Sequence, residues 1–283
     1  MLAWWQVLRV TEDEDVSEQG AREAMALSTE EALRRVKSIV PMLVADVQTA
    51  ILSHAVLEAS NDTIPPGMKG HWTEFNETYN AVQNALTLKL ALDIARIFDL
   101  SVSARYPAEE QDKASVQVLG ALLQREDVTA ELEKAAAGWM PGFDSARDDF
   151  ADMPDGVSGV LDEMAEDAAE ENKADCRAAL NAFVAEAAKL SDESDPTHGA
   201  LKRVREFRNK RLAHSLFDKE PDAFPRYSDL DLLLAVAKNA ARLAKLAVEG
   251  GNTELEEQAA RNRENSEGYA ACVLDGLKRA SEE

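Results

Sequence analysis

Residues 198–215, HGALKRVREFRNKRLAHS, carry the reading of this chain. Apolar residues recur at helical spacing, so a helix is expected over about 197–216. With Leu201 at 0° and one residue per ~100°, Leu212 falls at ~20°, Val204 at ~300° and Phe207 at ~240°. Arg208 at ~340° and Arg211 at ~280° lie inside that apolar arc, while Lys202, Arg203 and Lys210 point to solvent. An unpaired Arg on a buried stripe costs several kcal/mol. It needs a carboxylate, a phosphate or a subunit interface. Asp93 and Asp99, near the C-terminal end of another apolar helix, are the candidate partners; the competing reading leaves them solvated. His214 falls at ~220°, beside Phe207 and about two turns beyond Arg208. A long Arg and an imidazole at that offset converge on one phosphate-sized group.

The surroundings make this helix stand out. The 283 residues hold 31 Lys plus Arg against 53 Asp plus Glu, a formal net charge of −22. A generally basic nucleic-acid coat protein is excluded; a polyanion binder must hold its positive charge in one local patch. Residues 202–211 supply that patch, with six cations against the single Glu206. Between Asp144 and Asp175, by contrast, twelve acids face only Arg147 and Lys173, the pattern of a solvated acidic face or of a decoy for a basic partner.

There are 47 Ala against 25 Val plus Ile; Ala favours helices and the β-branched residues strands, so the chain reads as all-α. Ser28 with Glu31 forms a capping box that opens a long helix to about residue 60, which Pro41 should kink or split. Residues 61–70, NDTIPPGMKG, read as a loop. The next helix, opened near Thr73 and Asn76 and running to Phe98, is apolar on most faces and reads as central. Helices are expected over about 107–124, 129–137 and 157–190, with a loop at 138–159. Ser228 with Asp231 caps a further helix that Gly250-Gly251 ends, and a polar helix over about 253–280 closes the chain, as an arm across the body or a dimer contact. Trp4 and Trp5 pin a short N-terminal helix. The organisation is therefore an N-terminal segment (1–27), the first bundle helices (28–137), an acidic loop-and-helix insertion (138–195), the basic helix with its successor (196–250) and a C-terminal helix (251–283).

Other chemistries find little support. Cys176 and Cys272 are too few for a disulfide framework, which points to a reducing cytoplasm. Residues 1–10 lack a basic leader and make a poor signal peptide, and no apolar run is long enough to read as a bilayer span. Walker A, CxxC and HExxH patterns are absent. No His follows a Glu by three residues, as a di-iron bundle needs. No metal or cofactor is expected.

Arg208-Asn209-Lys210-Arg211-Leu212-Ala213-His214 resembles the R-x(4–6)-H motif of the HEPN superfamily, with Asn209 as the polar residue often found after the Arg. The wider phrase REFRNKRLAHS, 205–215, resembles HEPN proteins of abortive-infection type. Residues 81–100, which run into ARIFDLS (95–101), resemble that group's second core helix. The resemblance implies an HEPN-like bundle of four or five helices, usually dimeric, with motif helices facing one cleft. It also implies metal-independent endoribonuclease chemistry in phage defence or as a toxin. In that chemistry the RNA 2′-hydroxyl is the nucleophile and His214 the general acid or base. Arg208 stabilises charge on the phosphate, Asn209 orients the His or binds phosphate, and Arg205, Lys210 and Arg211 hold the RNA backbone. An antitoxin or regulatory partner is a further expectation. Two alternatives remain: a non-catalytic HEPN-like module in which Arg208 is a structural cation and the acidic face docks a partner, and a helical scaffold with no nucleic-acid role.

Overall fold

The computed structural model describes residues 27–70, 74–101, 107–139, 155–212 and 224–282. Among these there are eight α-helices and no strand: α1 (Thr29–Gly67), α2 (Asn76–Ile97), α3 (Val116–Leu123), α4 (Glu126–Ala136), α5 (Asp155–Lys189), α6 (Pro196–Phe207), α7 (Tyr227–Glu249) and α8 (Leu255–Ala280). A 3₁₀ turn spans Ala108–Glu110, and a π-helical turn, Arg208–Leu212, continues α6. The all-α bundle is as the composition indicates. The short N-terminal helix expected at Trp4 and Trp5 lies outside the described residues, as does most of the loop expected over 138–159.

The long α1 is the spine. It packs on α2, α7 and α8, and Val36, Val40, Leu43, Val47 and Leu57 are fully or almost fully buried along it. The Ser28 hydroxyl accepts from the Glu31 amide at 3.2 Å, as a cap should. The Glu31 carboxylate, however, takes Arg34 and Arg35. Neither the break at Pro41 nor the loop after residue 60 is present: α1 runs through Pro41, Pro65 and Pro66. All three prolines are exposed, so carbonyls that lose a helical donor face water. Burial of Ile64 and Met68 against Ala270 of α8 holds the last turns helical. By length and composition α1 is the one described helix able to cross a membrane, and 44% of that window is buried inside the bundle.

The central role expected of α2 therefore belongs to α1. Only one face of the C-terminal part of α2, with Leu90, Ala91, Ile94, Ala95 and Ile97, is deeply buried, whereas Val82, Leu88 and Leu92 are exposed. Two further boundaries differ. The single helix expected over 107–124 is a 3₁₀ turn, an irregular stretch and α3, because the Ser115 hydroxyl caps the Val118 amide. The cap of α7 is Arg226 with Asp229, not Ser228 with Asp231: the Asp229 carboxylate accepts the Arg226 N–H at 2.8 Å. Gly250 ends α7 at φ +65°.

The acidic helix α5 divides along its length. Glu163, Glu166, Asp167, Glu170 and Glu171 are exposed, while Cys176, Leu180 and Phe183 enter the main core as α5 packs on α4 and α7. The C-terminal helix α8 lies along α1, where Arg263 bonds Glu58 and Asp62 at 3.1 and 2.8 Å.

Candidate nucleic-acid interface

Leu201 and Val204 seat α6 in the core. Arg205 and Arg208 are three residues apart and share a face, which is turned to the C-terminal end of α2. Arg208 donates through Nη1 to Asp99 Oδ1 at 2.9 Å and through Nε to Asn209 Oδ1 at 3.0 Å. Its side chain is about a quarter exposed, so the cation is anchored yet accessible. Asn209 is exposed.

Asp99 has a second cation. Lys113 Nζ lies 2.9 Å from Asp99 Oδ2 and donates to Ser101 Oγ at 2.8 Å. The Gln111 carboxamide pins this segment, accepting from the Ser101 N–H and donating to the Ser101 carbonyl, both at 2.8 Å. Burial pushes the Asp99 carboxyl up, but hydrogen bonds from Lys113 and Arg208 outweigh it and hold the group below the ordinary carboxylate range. Lys113 is a residue sequence reasoning missed: it lies in the irregular stretch before α3, where a continuous helix over 107–124 was expected.

Of the two candidate partners for Arg208, Asp99 is engaged and Asp93 is not. Asp93 pairs with Lys89 one turn away on α2. The cations also divide. Arg205, expected on the RNA backbone, turns inward and donates to the Phe98 carbonyl. With the Gln117 carboxamide oriented to satisfy both its ends, Gln117 donates to that same carbonyl at 3.1 Å and accepts from Arg205 Nη2 at 2.9 Å. Burial pushes the Arg205 guanidinium down from its usual value. The wheel carried part of this signal, since Arg205 falls at ~40°, about 20° beyond Leu212 at the edge of the apolar arc. Arg203, expected in solvent, makes a two-point pair with Asp229 at 2.8 and 2.6 Å. That bond draws the Asp229 carboxyl down, although burial opposes it. Lys202 is exposed, and Lys210 lies 4.0 Å from Glu206 on the same helix. The Arg211 side chain and His214 lie outside the described residues.

Over Arg208–Leu212 the backbone is π-helical. A π-turn bonds i to i+5 and recurs at functional sites. The wheel angles assigned to Arg211, Leu212 and His214 assume α-helical steps and do not carry through it.

A second cluster lies apart, in a cleft of about 460 Å³ between α1, α7 and α8. His54 Nε2 is 2.7 Å from Asp231 and Nδ1 3.5 Å from Glu58. These three residues are close enough to hold a metal ion, although Arg263 already bonds Glu58 at 3.1 Å. The i, i+4 spacing of His54 and Glu58 was visible in the sequence; Asp231, on another helix, was not.

Residues 71–269, more than two thirds of the chain, match the family model of the HEPN domain described as AbiU2. The match takes in α2, the basic helix with its RNKRLAH phrase, and part of α8. No protein of curated function and no solved structure matches the chain.

Proposed function

From the premise that this chain belongs to the AbiU2 family of HEPN abortive-infection proteins, we propose that it is a metal-independent endoribonuclease. It acts in phage defence or as a toxin in the cytoplasm, with its site in a cleft between two copies of the chain. The supporting observation is Arg208, held at 2.9 Å by Asp99 on the π-turn that leads to His214. Arg208 and Lys113 gather around one carboxylate, a local positive site in a chain of net charge −22.

The chemistry follows from the residue types. A phosphodiester enters against Arg208, with Asn209 and Lys210 beside it. The 2′-hydroxyl loses its proton to a His214 imidazole as its oxygen bonds to phosphorus. The bond from phosphorus to the 5′-oxygen breaks, and a protonated His214, supplied by the second copy, gives that oxygen a proton. Arg208 stabilises the charge that builds on the phosphoryl oxygens. The products are a 2′,3′-cyclic phosphate and a free 5′-hydroxyl. The acidic face of α5 repels RNA elsewhere and offers a surface to an antitoxin or regulatory partner.

One observation favours a second reading. Arg208 already has a carboxylate and a carboxamide partner, so a non-catalytic HEPN module with a structural Arg208 is the alternative. Incubation of purified protein with total RNA and with transfer RNA, in chelator, separates them. Cleavage by wild type and none by Arg208→Ala or His214→Ala is the expected result. Equally intact RNA with all three proteins contradicts the nuclease.

A further inference from the structure

Beside the π-turn lies a small aromatic pocket that the phosphate chemistry does not use. Phe207, the residue before Arg208, meets Phe224 edge to face, with ring centroids 5.9 Å apart and planes at 61°. Tyr227 completes the group, its hydroxyl 3.2 Å from Thr87 Oγ1 on α2. Together they border a cavity of about 110 Å³, floored by Leu88, Ala91 and Leu230. This is well below the ~300–1,000 Å³ of a pocket for a drug-sized ligand, and is on the scale of one planar ring system. Phe224 is 52% and Tyr227 55% exposed, so both rings are open to a ligand from solvent.

We infer that this pocket stacks an unpaired RNA base next to the phosphate held by Arg208, so that the substrate is single-stranded at that nucleotide. The inference rests on the RNA reading above and deepens it. Three observations carry it. The rings adjoin the candidate phosphate site: Phe207 borders the pocket and directly precedes Arg208, and Ala91 on the opposite wall belongs to α2, whose end leads to Asp99, the partner of Arg208. The walls hold Arg226 and no carboxylate, so a polyanion meets no like charge there despite the net charge of −22. Finally, exposed aromatic faces beside cations are how proteins read splayed-out single-stranded bases, whereas paired bases offer no face to stack on.

The test is equilibrium binding of a short, 5′-labelled single-stranded RNA, read by fluorescence anisotropy. All proteins carry His214→Ala, so that the RNA stays intact. Phe224→Ala and Tyr227→Ala each weaken binding by about 5- to 150-fold, the range for one stacked base, and leave the salt dependence unchanged because no phosphate contact is lost. Tyr227→Phe keeps the ring and binds like the parent. Abasic nucleotides weaken the parent but add little to the Phe224→Ala loss, as expected of partners in one interaction. Both Ala sites are half-exposed, and matching thermal melts establish that the variants are folded. If both aromatic variants bind within twofold of the parent while Arg208→Ala lowers the salt slope, the stacking pocket is overturned and the RNA reading stands. If the parent binds no RNA, both fall.

Discussion

Arg208 and Asp99 meet at 2.9 Å although 109 residues separate them. The bond ties the π-turn after α6 to the end of α2, and Lys113 shares the same carboxylate. Because the carboxyl of Asp99 is held below its ordinary 3.8 in the folded chain, its contribution to stability is present above that value. It fades as the pH falls through 3.8 and then through the lower native value. Asp99→Asn is expected to cost about 1–2 kcal/mol at neutral pH. In urea melts from pH 7 down to pH 3, the gap to wild type should close on the acid side.

Arg205 is engaged within the fold, and from that placement a structural role is predicted for it. Its guanidinium is directed at the Phe98 carbonyl and Gln117. Arg205→Ala should destabilise the protein by about 2–3 kcal/mol, since it strips a charged donor from a partly buried acceptor. It should leave the salt slope of RNA binding unchanged, in contrast to Lys210→Ala. A stable Arg205→Ala protein with a reduced slope would return Arg205 to the interface.

Arg203 and Asp229 fasten α6 to the start of α7, and Asp229 also caps the Arg226 amide. Asp229 is almost fully buried. Its replacement by Ala removes a cap and strands a cation, at a combined cost of about 2–4 kcal/mol, measurable by chemical denaturation. Arg203→Ala removes the pair but keeps the cap and should cost less.

The helices and the basic segment were legible because amphipathic spacing and charge are local properties of the sequence. Asp99 was legible as one of two partners for Arg208 because a buried Arg demands a carboxylate. Choosing between Asp93 and Asp99 was not, because it depends on how α6 crosses α2. Nor was the persistence of α1 through Pro65 and Pro66, which is decided by burial against α8, far away in sequence. The irregular stretch that carries Lys113 to Asp99, and the π-turn that resets the wheel after Arg208, are backbone departures that a fixed helical period does not encode.

Gly250 tests the end of α7. Its φ of +65° is the left-handed region, and a Cβ there would stand 2.4 Å from the Trp139 ring. Gly250→Ala should cost at least about 2 kcal/mol, from backbone strain and overpacking together. Trp139→Leu should restore part of the loss in a double-mutant comparison of melts.

The proposed reaction is cleavage through the RNA's own 2′-hydroxyl at a site made by Arg208 and His214. Its most direct test is the chemistry of the cut end. A short RNA and its counterpart with one 2′-deoxy nucleotide at the cut position are incubated with the protein in chelator, and the products are resolved by mass. A 2′,3′-cyclic phosphate from the all-ribose strand, no cut at the deoxy position, and no product with Arg208→Ala or His214→Ala are the expected results. Cleavage at the deoxy position, or product undiminished in the two variants, would contradict that reaction.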